Sequence, residues 1–269
     1  MENQLPSPSA PHAQWSFFSG ARAALAFLTR IPCGKRPLGE SALYWASAWF
    51  PAVGYFLGFL ACLVWVGLQG AGFLVASVVA VAALALVTGG FHEDGLADTA
   101  DALGGAFERE KIFVILKDSH IGSFGATALV LVLLLRVAAL AKLGPMAVGG
   151  LLLGQTLSRT TPVWLMAALP YVTPSGTARS SYVVSHVVGG HIAHAVIASA
   201  FAASAAALLV VSGFLPVRPV VLSVAVSAVV AVVCGWRFHV RAGGLTGDFL
   251  GATQQVTDAT ILVVLAASL

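Results

Sequence analysis

Three aspartates with helical spacing lie in a short polar stretch between two apolar segments. Asp94, Asp98 and Asp101 occupy positions i, i+4 and i+7, so a helix that begins near Asp94 would place their carboxylates on one face. Carboxylates on one face repel each other unless a cation lies among them. Mg²⁺ takes hard oxygen ligands and commonly bridges one or two carboxylates to the phosphates of a substrate. The spacing therefore favours a Mg²⁺ site for a phosphorylated substrate over the alternative, a solvent-exposed acidic loop.

A second polar group lies in residues 116–125, which read LKDSHIGSFG. Lys117 supplies a cation suited to a pyrophosphate, and Asp118 supplies an acid that could complete a metal site or act as a base. Ser119 and His120 add a hydroxyl and an imidazole, and the glycines before a helix N-terminus could offer backbone N–H groups to a phosphate. The alternative is structural, with Asp118 and Ser119 capping the helix that follows.

A third polar group is a glycine-rich turn at residues 241–252, just before the last apolar segment. It carries Thr246 and Asp248, and it has the composition expected of a second half of the same site. Taken alone, this motif is weak.

Arg159 lies inside an apolar segment, where a charged side chain is costly and usually faces a bundle interior or a water-filled cavity. Its partner is either an anionic group of a substrate or the aspartate cluster. Arg136 lies nearer the centre of its own segment, and we expect it to be mainly structural. His191 and His194 are spaced i and i+3, but no acid or cysteine joins them, so we do not expect a zinc site.

The composition indicates which elements must position these residues. The 269 residues are 58% hydrophobic and only 9% charged, with a mean hydropathy of +0.92, whereas soluble domains carry about 25% charged residues. Lipid must therefore surround much of the chain. Disorder, a nucleic-acid-binding domain and a disulfide scaffold are excluded, and the sequence predicts an all-α polytopic membrane bundle of about seven transmembrane helices. The candidate spans are 44–68, 71–88, 122–141, 145–169, 191–213, 217–235 and, more weakly, 253–269.

The amino-terminal part is expected to differ from the rest. Residues 1–14 are polar and proline-rich, which predicts a disordered tail. Residues 15–269 are expected to form a single integral membrane catalytic domain. Segment 15–31 is apolar, but it is short for a span and holds two arginines, so it predicts an interfacial or half-inserted helix that ends at Pro32.

Lysine and arginine are distributed asymmetrically along the predicted topology. With the amino terminus in the cytoplasm, ten of the 14 face inward, two face outward and two lie within spans. Residues 89–121, 170–190 and 236–250 then face the cytoplasm, and seven of the 11 acids fall in 89–121. We therefore expect a multi-pass protein whose active site faces the cytoplasm.

Taken together, these segments resemble the cobalamin synthase family, whose members are adenosylcobinamide-GDP ribazoletransferases. The resemblance runs nearly the whole length, and its most specific parts are the acidic motif of residues 89–105 and the segment Lys117–Gly122. The sequence departs from the family pattern at His120, where arginine is frequent, and after Tyr171, where a basic residue is usual. The other matching segments are Phe27–Pro32, Phe50–Gly54, Arg159, Leu169–Tyr171 and Gly243–Asp248.

The resemblance implies a reaction that the residues alone do not name. The phosphocobinamide group of adenosylcobinamide-GDP would pass to the ribose 5′-hydroxyl of α-ribazole or its 5′-phosphate, and GMP would leave. The product would be adenosylcobalamin or its 5′-phosphate. Mg²⁺ is the expected cofactor, and the expected partners are these small-molecule substrates and the lipid bilayer, with no nucleic acid. A homo-oligomer, or association with other enzymes of cobalamin assembly, is a further expectation.

The motifs and the resemblance together give expected roles. The expected catalytic residues are Asp98, Asp101 and Asp118. The expected substrate-binding residues are Lys117, Ser119, His120, Arg159 and Thr246, with Lys117 and Arg159 on substrate phosphate. The expected metal ligands are Glu93, Asp94, Asp98, Asp101, Asp118 and Asp248. Asp258 lies outside these motifs in the last span, and we expect it to tolerate loss of its charge better than Asp98 does.

Two other functions fit part of the pattern. A CDP-alcohol phosphotransferase that makes phospholipids also uses an aspartate-rich membrane site, but its motif needs an arginine that is missing here. A cation or metabolite transporter could use Asp94, Asp98 and Asp101 as ion ligands. Transporter ligands usually lie near the bilayer midplane on broken helices, whereas these aspartates fall in a predicted cytoplasmic segment.

Overall fold

The computed structural model describes residues 13–34, 37–172 and 191–268. Within these ranges the chain is helical, and its only extended pairing is an isolated bridge between Tyr171 and Leu245. The α-helices are α1 (Ala13–Leu28), α2 (Glu40–Ala46), α3 (Phe50–Leu68), α4 (Phe73–Thr88), α5 (Phe91–Gly105), α6 (Arg109–Ile115), α7 (Ser123–Leu143), α8 (Ala147–Ala168), α9 (Ile192–Val211), α10 (Val217–Ala242) and α11 (Gly247–Ser268).

Five segments of the described chain are long and apolar enough to cross a membrane, which confirms a polytopic helical bundle. They are Glu40–Ala71, Ser123–Ala168, Ile192–Val211, Val217–Ala242 and Gly247–Ser268. Helices α4 and α5 pass the same test only as a pair, and they are bent by 90° where they join. The expected number of about seven crossings stays a prediction.

Small residues bring α3 and α8 into close contact. A Cβ on Gly54 would overlap the carbonyl oxygen of Gln155, and a Cβ on Gly58 would lie 2.8 Å from the carbonyl oxygen of Leu151. Such small residues let membrane helices approach closely where lipid provides no hydrophobic drive. Because the residue numbers of the contacting positions increase along α3 while they decrease along α8, the two helices are antiparallel.

The 46-residue segment Ser123–Ala168 consists of two helices that run in opposite directions. Helix α7 is antiparallel to α4, because Gly125 lies against α5 beyond the end of α4, while Gly144 lies against Phe73 at its start. Gly144 has φ +55°, a conformation that breaks the helix, and α8 then returns along the bundle. We call the end of the bundle that holds α5 and the start of α11 the site end, and the end that holds Gly144 the opposite end.

Two consecutive glycines form the corner between α4 and α5. Gly89 and Gly90 have φ +73° and +72°, a left-handed conformation that other residues rarely adopt. The Gly90 N–H donates to the carbonyl oxygen of Ala85 at 2.8 Å, which closes the end of α4. The corner turns α5 across the site end, so its acidic first turn lies there rather than continuing along α4.

Arg241 holds the other end of α5. Its guanidinium donates to the carbonyl oxygens of Leu103 and Ala106 and lies 5.0 Å from the centre of the Phe107 ring. A cation is favourable here, because the last carbonyls of a helix carry partial negative charge. Helix α5 is therefore fixed at both of its ends.

The amino-terminal helix agrees with the prediction of a short apolar element. Helix α1 begins at Ala13, inside the predicted tail, and ends at Leu28, so the predicted end at Pro32 is wrong. The helix is too short to count among the candidate spans. The indole of Trp49 donates to the carbonyl oxygen of Phe17 at 2.8 Å and attaches α1 to the start of α3. Residues 1–12 of the predicted tail lie outside the described residues.

Candidate active site

A cavity of about 610 Å³ lies at the site end, beside the first turns of α5. Its acidic wall consists of Glu93, Asp94 and Asp98, so the structure brings together part of the predicted aspartate motif. The other residues that line it are Phe27, Thr29, Arg30, Thr88, Gly89, Gly90, Phe91, Ala97, Ser119, Ile121 and Leu129.

The acids near this cavity interact with one another. The pKa of Asp98 is raised to about 7, first by partial burial of its carboxyl and then by the charges of Asp94, Asp248 and Asp101. Asp98 lies outside the five candidate spans, because helix α5, which is bent by 90° from α4, is not one of them. After burial, the charges of Asp94 and Asp101 contribute to the raised pKa, as their i, i+4, i+7 spacing with Asp98 predicts, and Asp248 joins the group from α11.

Asp101 attaches α5 to the start of α7. One carboxylate oxygen accepts the N–H of Gly122 at 2.7 Å and the other accepts the N–H of Gly125 at 2.9 Å. A Cβ on either glycine would overlap the carboxylate, so both positions need glycine. These contacts satisfy N–H groups of the first turn of α7. The predicted catalytic and metal-binding roles of Asp101 stay predictions beside this structural one.

Glu93 connects the cavity to the interior of the bundle. Its Oε1 accepts a hydrogen bond from Gln255 Nε2 at 2.9 Å and lies 3.6 Å from Nη1 of Arg136. Its Oε2 is buried and has no hydrogen-bond partner among the described residues. An unpaired carboxylate oxygen at a cavity wall is a candidate ligand for a cation.

Asp118 and His120 form a pair on the loop before α7. The Oδ1 atom of Asp118 lies 2.6 Å from His120 Nδ1 and also accepts the His120 backbone N–H at 3.0 Å. These hydrogen bonds lower the pKa of the exposed Asp118 carboxyl. The capping alternative is wrong, because α7 begins after Gly122 without a side-chain cap of its own and Asp101 satisfies its N–H groups instead.

The loop brings only some of its predicted residues to the cavity. Ser119 lines it, as does Ile121, while Lys117, Asp118 and His120 are exposed and do not line it. The predicted roles of these residues stay predictions.

The glycine-rich turn before α11 has a structural part and a part near the acids. Thr246 is buried, and its hydroxyl accepts the Phe249 N–H at 3.3 Å, so it caps α11. Asp248 lies at a close contact between α5 and α11, because a Cβ on Gly95 would lie 2.9 Å from the Asp248 carbonyl oxygen. The expected substrate contact of Thr246 stays a prediction.

Leu169–Tyr171 joins the same turn. The Leu245 N–H donates to the carbonyl oxygen of Pro170, and the Val172 N–H donates to that of Leu245, both at 2.8 Å. The predicted cytoplasmic segment 170–190 lies outside the described residues from 173 onward.

Arg159 is buried in the middle of the bundle rather than at the cavity wall. Its Nη1 donates to the side-chain oxygen of Gln155 at 2.7 Å and to that residue's carbonyl oxygen at 3.2 Å. Its charge also interacts with Asp258 and Glu93. The predicted pairing of Arg159 with the aspartate cluster is wrong, because the acids that interact with it are Asp258 and Glu93. A substrate contact stays a prediction.

Arg136 and Asp258 form a buried ion pair in the same region. Arg136 Nε lies 2.9 Å from Oδ2 of Asp258, and the two side chains are 2% and 1% exposed. Gln155 Nε2 donates to the same carboxylate oxygen at 2.9 Å. Arg136 is therefore structural, as predicted. The pair also removes the basis for expecting Asp258 to tolerate loss of its charge.

Sequence reasoning missed one charged residue of the cavity. Arg30 lines the cavity, and its side chain lies across Gly89, where a Cβ would overlap its Nε. The signal was available, since Arg30 lies in Phe27–Pro32, one of the segments on which the family resemblance depends. Its contact with the α4–α5 corner joins positions far apart in the chain, so spacing alone could not reveal it.

The donor set at the cavity consists of carboxylates, which suits a hard divalent cation such as Mg²⁺. The buried unpaired oxygen of Glu93 and the mutual repulsion around Asp98 both fit such a cation. Among the described residues, no three His, Cys, Asp or Glu side chains form a cluster arranged to hold a metal ion.

These features define a class: a multi-pass helical membrane protein with a carboxylate-lined cavity at one end of its bundle. Comparison with known proteins gives the family. The cobalamin-5-phosphate synthase family model matches residues 20–266, and the chain belongs to this family.

Curated relatives agree with this assignment. Proteins named adenosylcobinamide-GDP ribazoletransferase are similar to the chain in Shewanella piezotolerans, with 37% identity over 90% of the chain and 92% of the relative, and in a Polaromonas species, with 36% identity over 91% and 95%. The protein of the same name in Shewanella amazonensis is 39% identical over 90% of the chain and 92% of the relative. No solved structure matches the chain.

Proposed function

We propose that this protein transfers the phosphocobinamide group of adenosylcobinamide-GDP to α-ribazole or its 5′-phosphate in a late step of cobalamin biosynthesis. The 5′-oxygen of α-ribazole 5′-phosphate is already esterified, so a free ribose hydroxyl other than the 5′-hydroxyl attacks the phosphorus that carries the cobinamide. The bond from this phosphorus to the GMP oxygen breaks, GMP leaves, and the hydroxyl proton is released. The family match over residues 20–266 is the observation that carries the proposal. The acid-lined cavity supports it, because transfer from a pyrophosphate depends on positioning and on stabilising negative charge.

We propose Mg²⁺ as the cofactor, with Glu93, Asp94, Asp98 and Asp248 as the acids that would supply its protein ligands. Because no three of these carboxylates are clustered in the described structure, one or two of them would bind the ion together with the substrate. When bound, the ion would neutralise negative charge on the pyrophosphate oxygens and on the departing GMP. Glu93 offers a buried unpaired oxygen, and the other three are the acids whose charges interact beside the cavity. Asp101 then acts mainly by holding the start of α7 against α5, so that the loop of residues 116–122 stays beside the cavity.

We further propose that Asp118 and His120 receive the proton of the attacking hydroxyl. Asp118 orients the imidazole through the contact with Nδ1, which leaves Nε2 as the proton acceptor. Both side chains are more than half exposed, and neighbouring residues of their loop line the cavity. Lys117 on the same loop is the proposed neutralising contact for a substrate phosphate.

The orientation is also part of the proposal: a bacterial inner-membrane protein with its site end in the cytoplasm. The cations of α6 and of the end of α10 lie at the site end, whereas Lys142 and Arg218 lie at the opposite end. This distribution supports a cytoplasmic site end by the positive-inside rule. Association into an oligomer, or with other enzymes of cobalamin assembly, stays a prediction.

The test is release of GMP from adenosylcobinamide-GDP by the detergent-purified protein. We expect release only when α-ribazole or its 5′-phosphate is present, and we expect EDTA to stop it and added Mg²⁺ to restore it. Release of CMP from CDP-diacylglycerol would instead favour the phospholipid synthase. The transporter would be favoured by a different pair of results: the protein reconstituted in vesicles accumulates a cation or metabolite inside them, and it releases no GMP.

A further inference from the structure

We propose that Arg30 binds a phosphate group of the nucleotide substrate inside the acid-lined cavity. This inference rests on the proposed function, since it names a contact made by the nucleotide diphosphate of that substrate. It concerns a residue that none of the sequence motifs predicted as part of the site.

The first observation is the charge balance of the cavity wall. Three of its residues are acids, and among the described residues that line it Arg30 is the only cation. A phosphate that enters this cavity is repelled by the acids and needs positive charge beyond that of a metal ion. Arginine suits this task, because its planar guanidinium presents paired N–H donors to phosphate oxygens.

The second observation is that Arg30 is not used by the protein's own acids. The ion pairs of the described chain join Lys111 to Glu108, His120 to Asp118, and Arg136 to two acids, and none includes Arg30. Its side chain is exposed, in contrast to Arg136 and Arg159. A cation that borders a cavity without an acidic partner has its donors available for an anionic ligand.

The third observation is that the backbone positions Arg30 at the α4–α5 corner. Its N–H donates to the carbonyl oxygen of Val87 at 2.8 Å, and its side chain passes over Gly89, with Cδ 2.8 Å from the place of a Cβ. The segment is tightened further because the Thr29 hydroxyl accepts the Ile31 N–H at 3.2 Å. Arg30 is therefore held beside the acids of α5 rather than on a free tail.

The first experiment removes the charge. We expect Arg30→Gln to raise the KM for adenosylcobinamide-GDP by about 10- to 100-fold, as loss of a hydrogen bond between charged groups predicts. Arg30→Lys should raise KM less, because it keeps the positive charge and loses only the paired N–H donors of the planar guanidinium. Arg218→Gln is the matched control at the opposite end, and its KM should equal that of the wild type.

The second experiment moves Arg30 without changing its charge. In Gly89→Ala the added methyl displaces the Arg30 side chain, whereas in Gly90→Ala it meets no atom within 4 Å. Both glycines border the cavity and have nearly the same positive φ, so backbone strain and added volume are shared by the two variants. We expect Gly89→Ala to raise KM at least several-fold more than Gly90→Ala does.

Binding of GDP in the presence of Mg²⁺, measured by calorimetry on the purified protein, separates this inference from the proposed function. A wild type that binds GDP without turning over adenosylcobinamide-GDP refutes the proposed function, while weaker GDP binding by Arg30→Gln still supports the Arg30 contact. Equal KM values, or equal affinities for GDP, in Arg30→Gln and the wild type overturn the Arg30 proposal.

Discussion

The two polar regions of the protein, the bundle interior and the cavity, differ in whether their arginines are paired with acids of the fold. In the bundle interior, Arg136 is paired with Asp258, and the amide side chains of two glutamines form hydrogen bonds with the two members of this ion pair. At the cavity, Glu93, Asp94 and Asp98 face one arginine, and no ion pair joins it to them. Buried charges need a partner within the fold, whereas charges beside a cavity can be completed by a ligand. The comparison assigns stability to the interior network and binding to the cavity.

The largest expected effect is on stability and belongs to the interior. Asp258→Asn should destabilise the protein by about 3–5 kcal/mol, because it removes the nearer of the two acidic partners of the buried Arg136. The measurement is thermal unfolding of the purified protein in detergent. In the double variant Arg136→Met/Asp258→Leu, neither charge remains, and much of the loss should be recovered. A single Asp258→Asn variant as stable as the wild type would contradict the assignment of the interior network.

The next effect is on turnover and belongs to the cavity. Asp98→Asn should lower kcat by about 100-fold or more, because it removes charge from the proposed metal site. It should also need more Mg²⁺ for half-maximal rate, while its unfolding temperature without Mg²⁺ equals or exceeds that of the wild type, since repulsion is relieved. Glu110→Gln, which neutralises an exposed acid of α6, is the matched control. Normal turnover of Asp98→Asn at ordinary Mg²⁺ would end the metal-site proposal.

The smallest expected effect is a pH dependence of stability without Mg²⁺. The pKa of Asp98 is raised from 3.8 to about 7, so between these values the folded protein binds more protons than the unfolded chain. Stability from this group is therefore lost as pH rises from about 4 to 7. We expect the unfolding temperature of the wild type, minus that of Asp98→Asn, to fall over this range. A difference that is constant with pH would contradict the raised pKa of Asp98, which burial and the neighbouring acids cause.

The sequence predicted those features that depend on local spacing. The all-helical membrane bundle followed from composition and apolar runs, and the shared face of Asp94, Asp98 and Asp101 followed from the period of a helix. Arg136 was predicted to be structural because of its depth in a span, and it is. These features need no knowledge of which helices are neighbours.

Features that depend on contacts between distant helices were missed. Asp118 was a plausible cap for α7 because it lies nearby in the chain, but Asp101, on another helix, makes these hydrogen bonds. The partner of Arg136 and the place of Arg30 likewise depend on helix packing. The α4–α5 corner was not anticipated either, although its two glycines are visible in the sequence.

The pairing of Arg136 with residues of α11 has a consequence for synthesis and membrane insertion. Arg136 emerges from the ribosome 119 residues before Gln255, which accepts its hydrogen bond, and Asp258 follows later still. During that interval α7 must enter the membrane with a charge whose main partners have not yet been made. Asp248 of the cavity arrives at the same late stage. Insertion of α11 thus completes both the ion pairs of the interior and the acidic site, so we expect a nascent chain that stops before α11 to be both poorly inserted and inactive.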